Sequence, residues 1–214
     1  MILDSQSDHM LHQQSLPASW RFRVFLLLCF IPTIAAQAQN QTQWLGITPL
    51  WRTSSNWNAG TPNSDIDVLV SNTGPAPNVP VPLSGDTAQI RNLKLQNDGE
   101  LFFDSLAILI VHGSEVTLNG SLISLGSGTI LFRNNITFKN GGIFDAGNGV
   151  LAFQGVTWEN KSGSTFTPGT STVILEGTSN QNIIIDSSLN LHFYNLQILT
   201  QDTVSIIGSV TVQN

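Results

Sequence analysis

A repeat of about 21 residues is the feature that most restricts how this chain can fold. The segments Gly99–Gly113, Gly120–Asn134, Gly141–Gly155 and Gly163–Gly177 align without internal gaps at successive shifts of 21, 21 and 22 residues. Each column of the alignment holds one kind of side chain, as stacked repeats require. Three apolar columns show this most clearly: Phe102, Ile123, Phe144 and Phe166; Leu109, Ile130, Leu151 and Val173; and Val111, Phe132, Phe153 and Leu175.

Each repeat consists of short β-branched and aromatic runs between Gly and Asn residues, which indicates about three strands rather than a helix. Such a unit cannot bury its apolar side alone, but stacked units pair like strands about 4.8 Å apart. The repeat therefore predicts an all-β parallel β-helix, and a right-handed one because parallel crossovers nearly always are. An antiparallel barrel or sandwich is the alternative, but it does not require matching columns at a fixed shift.

A further strand repeats between the aligned segments. The pattern predicts that Trp158 is a core residue in the column of Leu118 and Phe138. It also predicts a turn after each copy, at Asn140 and Asn160. The copies are Val116-Thr117-Leu118, Ile136-Thr137-Phe138 and Val156-Thr157-Trp158.

Two more columns should point outward because each adjoins an inward column on the same strand. Both are largely apolar, which is compatible with ordinary exposed surface or with lateral packing against a partner. The pattern favours ordinary surface. The columns are Leu101, Leu122, Ile143 and Thr165, and Ile110, Leu131, Ala152 and Ile174.

The chain divides into four parts by composition. Residues 1–38 read as a secretory signal peptide, because Arg21 and Arg23 precede the short apolar run Val24–Ile34 and a small-x-small site near Ala38/Gln39. An uncleaved anchor is the alternative, although the run is short for a membrane span. Residues 39–84 hold three Trp, and five Pro lie between Pro62 and Pro82, so this segment predicts an irregular N-terminal cap. Residues 85–190 form the coils, and 191–214 open a further, truncated array.

Composition limits which partners the chain can bind and where in or outside the cell we expect it. The net charge of −6 argues against a nucleic-acid partner, since phosphate binding needs a basic face. Cys29 is the sole cysteine and lies in the leader, so the mature chain has no thiol chemistry. We expect a secreted or cell-surface protein without a membrane span after cleavage. We also expect end-to-end or lateral self-association, since a solenoid without a polar terminal cap exposes its last coil.

The opening of the mature chain resembles that of large secreted bacterial surface proteins. Their pattern is roughly W-x-G, N-W-x-x-G-x-P and D-x-V-x-I before glycine-rich β-helix coils; here it reads Trp44-Leu45-Gly46, Asn56–Pro62 and Asp67–Val70. The phrases Val173–Asn182 and Phe193–Ile198 are also similar to phrases in those coils. The resemblance implies an adhesin-like β-solenoid, often exported by the type IX route with a sorting domain at the far C-terminus. This chain has Leu45 where a small polar residue is usual, and it would be an N-terminal piece.

The sequence does not assemble a catalytic or metal site. A glycoside hydrolase needs two carboxylates about 5–9.5 Å apart, but the column of Asp145 holds one acid, and Asp104 lies a column away. His112 and His192 have no ligand partner at metal spacing. Gly141–Asp145 lacks the later Gly and Asp of a calcium-binding β-roll repeat. We therefore predict no catalytic residue, no metal and no cofactor.

The three tryptophans of the cap are the candidate binding residues. Trp44, Trp51 and Trp57 could offer a platform for sugar rings, although burial over the first coil is the simpler interpretation. The sequence favours an exported, non-enzymatic β-solenoid that is a structural or adhesin-type surface module, with glycans or matrix components as partners. The alternative is a carbohydrate-active β-helix that binds or cleaves polysaccharide, with any active site outside this piece.

Overall fold

The computed structural model describes residues 40–72, 78–119, 122–139 and 141–214. They form a parallel β-solenoid of about seven coils with about 22 residues each. The predicted fold class is thereby confirmed. The signal peptide with its cleavage site, and the turn predicted at Asn140, lie outside the described residues.

Twenty short strands build the solenoid, and a 3₁₀ turn at Ser54–Asn56 lies in the cap. In chain order the strands are β1 (Gln41–Gln43), β2 (Asp67–Ser71), β3 (Thr87–Ile90), β4 (Leu93–Gln96), β5 (Glu100–Phe102), β6 (Ile108–Val111), β7 (Val116–Asn119), β8 (Leu122–Ser124), β9 (Thr129–Phe132), β10 (Ile136–Phe138), β11 (Ile143–Asp145), β12 (Val150–Phe153), β13 (Thr157–Asn160), β14 (Thr165–Thr167), β15 (Thr172–Leu175), β16 (Gln181–Ile185), β17 (Asn190–Phe193), β18 (Asn195–Ile198), β19 (Val204–Ile207) and β20 (Ser209–Val212).

Three faces surround a single apolar interior. The first face is an eight-stranded sheet in the order β1-β2-β4-β7-β10-β13-β16-β19. The second is β5-β8-β11-β14, followed by the separate pair β17-β20. The third is the six-stranded sheet β3-β6-β9-β12-β15-β18. Neighbouring strands of a face come from successive coils, which is why they are parallel.

The third face has the register that the repeat predicts. Leu109 pairs with Ile130, Ile130 with Leu151, and Leu151 with Val173. Val111, Phe132, Phe153 and Leu175 pair in the same way, and all eight side chains are at most 1% exposed. The column of Ile110, Leu131, Ala152 and Ile174 lies between these two and points outward, as predicted.

The second face corrects one predicted column. Leu101, not Phe102, pairs with Ile123, and Leu101 is fully buried whereas Phe102 is half-buried. The predicted inward position of Phe102 and outward position of Leu101 are therefore wrong. The turn from Phe102 to Ile108 holds one residue more than its counterpart in the next coil. Because side chains alternate along a strand, a slip of one residue exchanges the inward and outward faces.

The first face corrects the predicted column of Trp158. Trp158 pairs with Ile136, while Asn160 pairs with Phe138 and with Ile185. Trp158 is core, as predicted, but not in the column of Phe138. Asn160 is no turn residue either: it is 3% exposed in the interior, where its Oδ1 accepts a hydrogen bond from Trp158 Nε1. The extra residue Val156 is 46% exposed at the preceding turn.

Aromatic rings join several coils inside the solenoid. Phe144 contacts Phe132, Phe138 and Phe166 with ring centroids 6.5, 5.7 and 5.7 Å away. Trp158 contacts Phe138, Phe153, Phe166 and Phe193 at 5.7–6.0 Å. Edge-to-face contacts at these distances add about 0.5–1.5 kcal/mol per pair beyond burial. The aromatic column therefore ties the central coils into one core.

Residues 191–214 continue the same solenoid. β18 pairs with β15, β19 with β16, and β20 with β17, each in parallel. The sequence predicts a separate array from about residue 191. On the first and third faces the pairing instead extends the earlier coils, and only on the second face do β17 and β20 form a pair of their own.

A stacked turn at the junction of the second and third faces predicts one stabilising substitution. The turns at 104–107 and 146–149 close with equivalent hydrogen bonds, from Ala107 N to Asp104 O and from Gly149 N to Ala146 O. The left-handed residue is Gly147 in one turn but Leu106, with φ 61° and 70% exposed, in the other. Because the left-handed conformation costs a non-glycine residue about 1–2 kcal/mol, Leu106→Gly should raise the free energy of unfolding by about 0.5–1 kcal/mol.

Denaturant titration measures this gain. The matched control is Asn148→Gly, which changes the same turn position where φ is not positive. We expect that control to lower stability slightly, since glycine adds freedom to the unfolded chain. An equal gain in both variants would contradict the explanation by backbone strain.

Candidate functional site

The three predicted binding tryptophans form a buried cluster. Trp44, Trp51 and Trp57 are only 2–3% exposed. Trp57 lies between the other two, with ring centroids 4.8 Å away and planes inclined by 71–72°. The indole of Trp57 donates to Trp51 O at 2.7 Å, and that of Trp44 to Asn78 O at 2.7 Å. So little of each indole is exposed that the three tryptophans pack within the cap, which agrees with burial, the simpler of the two interpretations.

Two asparagines hold the same cap: Asn56 in the opening motif, and Asn78 beyond it. Asn56 is fully buried, accepts from Thr48 N at 2.7 Å, and donates to Thr48 Oγ1 and Leu50 O. Asn78 donates to Gly46 O at 2.9 Å. A buried amide that makes all of these bonds fixes the loop around it. The N-W part of the motif is therefore a folding element.

Two clefts open beside the cap. The first has a volume of about 240 Å³, and its polar lining includes Asn72, Asn78, Asp98 and Glu100. The second, of about 460 Å³, is lined by uncharged polar side chains and by Arg52. Arg52 Nε lies 3.1 Å from Asp86 Oδ2, so its charge is already partnered. The uncharged polar residues of the second cleft are Thr61, Asn63, Ser64, Thr87 and Gln89.

Four carboxylates illustrate the structural roles that acidic side chains take in the fold. Asp145 accepts from Gly147 N at 3.1 Å and Asp104 from Ser105 N at 2.7 Å, so both support turns. The hydrogen bond from Arg91 lowers the pKa of Asp67, although partial burial opposes this. The hydrogen bonds from Ser188 lower the pKa of Asp186. These shifts hold Asp67 and Asp186 charged, which is the reverse of what a general acid requires.

The two histidines that the structure describes, His112 and His192, lie on the outer surface of the coils. His112 Nε2 lies 2.9 Å from Gln89 Oε1, and His192 is exposed on β17. Further along the row of His112, Gln154 Nε2 donates to Glu176 Oε1 at 3.0 Å. Among the described residues, no group of three or more His, Cys, Asp or Glu side chains could hold a metal ion.

The outward face of the third sheet is the most regular surface. Ile110, Leu131 and Ile174 are half-buried, and Ala152 is 8% exposed, because each side chain rests on its neighbour in the next coil. A row of Ile108, Thr129, Val150 and Thr172 runs beside them. The two rows carry aliphatic and threonine side chains, and the column of Ile110, Leu131, Ala152 and Ile174 is the outward one that the repeat predicts.

The fold and these surfaces define a three-sided parallel β-solenoid with an aromatic N-terminal cap. Comparison with protein-family models, curated proteins and solved structures finds no match. Within the described ranges, no helix is long and apolar enough to cross a membrane.

Proposed function

We propose that this chain is an exported, non-enzymatic β-solenoid that serves as a structural or adhesin-type module at the cell surface. The observation that carries the proposal is the continuous interior: like residues stack from coil to coil, and aromatic rings connect the central coils. Such a body is stiff along its axis and displays outward residues in straight rows. The signal-peptide pattern of residues 1–38 supports export.

Two measurements test this proposal. Antibody labelling of intact cells should detect the chain outside the cell. Purified protein should bind one or more surface glycans or matrix proteins in a panel, and should not turn over acidic or neutral polysaccharides. Intracellular retention would contradict the export step. Polysaccharide turnover that is lost in Asp145→Ala would contradict the non-enzymatic role, because Asp145 would then take part in catalysis as well as supporting its turn.

Glycan binding at the second cleft is the alternative that one observation favours. Its lining gathers five uncharged polar side chains beside Trp51 and Pro62, which suits the hydroxyl groups of a sugar. If a glycan binds there, Gln89→Ala together with Asn63→Ala should weaken binding at least tenfold. The matched control changes Asp98 and Glu100 in the first cleft and should leave binding intact. Equal losses in both double variants would place binding elsewhere.

A further inference from the structure

The second cleft lies along an unpaired strand edge. Within the described residues β3 pairs with β6 alone, and residues 87–89 of β3 line the cleft. On the paired side, Ile90 O accepts a hydrogen bond from His112 N at 2.9 Å. Backbone groups alternate in direction along a strand, so the N–H and C=O groups of Thr87 and Gln89 point to the other side, away from β6.

These outward backbone groups lack partners. Across the part of the chain that the structure describes, the N–H and C=O groups of Thr87 and Gln89 make no hydrogen bond. The next outward group along the strand, Arg91 N, donates to Ile66 O at 2.9 Å. The unpaired edge therefore ends at Arg91, where the chain itself supplies a partner. A row of unpaired strand groups is a template for pairing with another segment.

The corresponding edges of the other two faces are covered by backbone of this chain. At the outer edge of β1, Asn58 N donates to Gln43 O at 3.1 Å. At the outer edge of β5, Phe102 N donates to Pro80 O at 3.3 Å. Beside β3 the described residues supply no such segment, and a cleft of about 460 Å³ lies there instead. An extended segment in this cleft would complete the outer layer of the solenoid.

The lining of the cleft indicates which kind of segment fits. Among the described residues that line it, only Arg52 is charged, and Arg52 Nε already lies 3.1 Å from Asp86 Oδ2. A charged partner would therefore gain no free counter-charge. A peptide residue beside Ala88 would point inward as Ala88 does, toward the buried Trp51. The lining thus favours an uncharged peptide with a small side chain at that position.

We propose that an extended, uncharged segment of a partner protein adds as a further strand to β3 in the second cleft. The N–H and C=O groups of Thr87 and Gln89 bind the backbone of that segment. Strand addition of this kind derives its affinity from backbone hydrogen bonds and its specificity from alternate side chains. The inference rests on the adhesin-type function proposed above, and it names a polypeptide as the class of partner.

Modified peptides test the backbone contact. The purified chain, after any processing of residues 1–38, is titrated with an array of short capped peptides composed of Ser, Thr, Asn, Gly and Ala. We expect binding, and the tightest peptide becomes the probe. N-methylation of every second amide in the register that pairs with β3 should weaken binding at least tenfold, whereas N-methylation in the other register should not. No binding at millimolar peptide, or equal losses in both registers, would overturn the proposal.

Two substitutions at one position test the site. Gln89→Pro removes the outward N–H but no hydrogen bond to β6, and edge strands tolerate proline in that orientation. The matched control, Gln89→Ala, keeps the N–H and removes the side chain with its contact to His112. We expect Gln89→Pro to weaken binding of the probe peptide at least tenfold and Gln89→Ala to keep most of the affinity. Circular dichroism should show that both variants are folded, and equal affinities would contradict the proposal.

Hydrogen exchange and light scattering identify other occupants. The amides of Thr87 and Gln89 should exchange rapidly in the free chain and become protected when the probe peptide binds. Protection in the free monomer would assign the edge to a segment of this chain, and a dimer that Gln89→Pro dissociates would assign it to a second copy. Glycan binding that is lost in the double variant Gln89→Ala and Asn63→Ala, without peptide binding, would assign the cleft to a sugar. Each of these results would overturn the proposal, whereas intracellular retention would contradict only the proposed export.

Discussion

Phe144→Asp unfolds the solenoid. Phe144 is fully buried and its ring contacts three other aromatic rings, so removing the ring costs about 3–5 kcal/mol. A buried carboxylate without a partner adds several kcal/mol more. The sum reaches the whole stability of a typical domain, which is about 5–15 kcal/mol. Circular dichroism and thermal unfolding should show loss of the cooperative transition at 25 °C.

Ile143→Asp is the matched control for this substitution. Ile143 precedes Phe144 on β11 but points outward, with 41% of its surface exposed. A carboxylate there stays hydrated, so we expect a change within about 1 kcal/mol. If both variants unfold equally, the assignment of inward and outward positions on the second face is wrong.

Gly147→Ala should also destabilise the protein strongly. Gly147 has φ 55°, and a Cβ atom built on it would lie 2.5 Å from the carbonyl oxygen of Gly126 in the coil below. The left-handed conformation costs alanine about 1–2 kcal/mol, and the contact with backbone forces adjacent coils apart. We expect a loss of about 2–4 kcal/mol, which corresponds to a fall in Tm of roughly 5–15 °C.

Gly85→Ala separates the two causes. Gly85 has φ 76°, so alanine meets the same conformational strain, but nothing lies within 4 Å of the added Cβ. Thermal unfolding should show that Gly85→Ala lowers the free energy of unfolding by only about 1–2 kcal/mol. Equal losses at Gly85 and Gly147 would mean that the close approach of stacked turns contributes nothing.

The repeat predicted the fold because its strongest columns come from strands of equal length joined by equal turns. Leu109, Ile130 and Leu151 are separated by the same 21 residues in the sequence and in the pairing. The prediction failed in two ways: at Leu101 one turn is a residue longer and the predicted face is wrong, whereas Trp158 has the predicted face but pairs with Ile136, two residues along the strand from Phe138. Side chains alternate along a strand, so an alignment without gaps assigns the wrong face as soon as one turn lengthens. Turn length depends on backbone geometry, which residue type alone does not specify.

The sequence predicted that the cap is irregular and rich in aromatic residues, but not which residues hold it together. Proline density and three tryptophans indicated an irregular aromatic segment, and the structure places those indoles inside it. What the sequence could not show is that Asn56 and Asn78 hold the loops around the indoles. The bonds of Asn56 depend on the exact shape of a loop of six to eight residues, and those of Asn78 join it to residues more than 30 positions away. The clefts beside the cap were missed for the same reason. They exist only where cap and coils meet.

The buried pair of Trp158 and Asn160 explains how a large indole can enter an apolar interior. The two residues lie two positions apart on β13, and Trp158 Nε1 donates to Asn160 Oδ1. Because the bond lies within one strand, the indole keeps its partner whichever residues the neighbouring coils bring beside it. Without that amide, the indole N–H would be left unsatisfied in hydrocarbon, at a cost of about 1–3 kcal/mol.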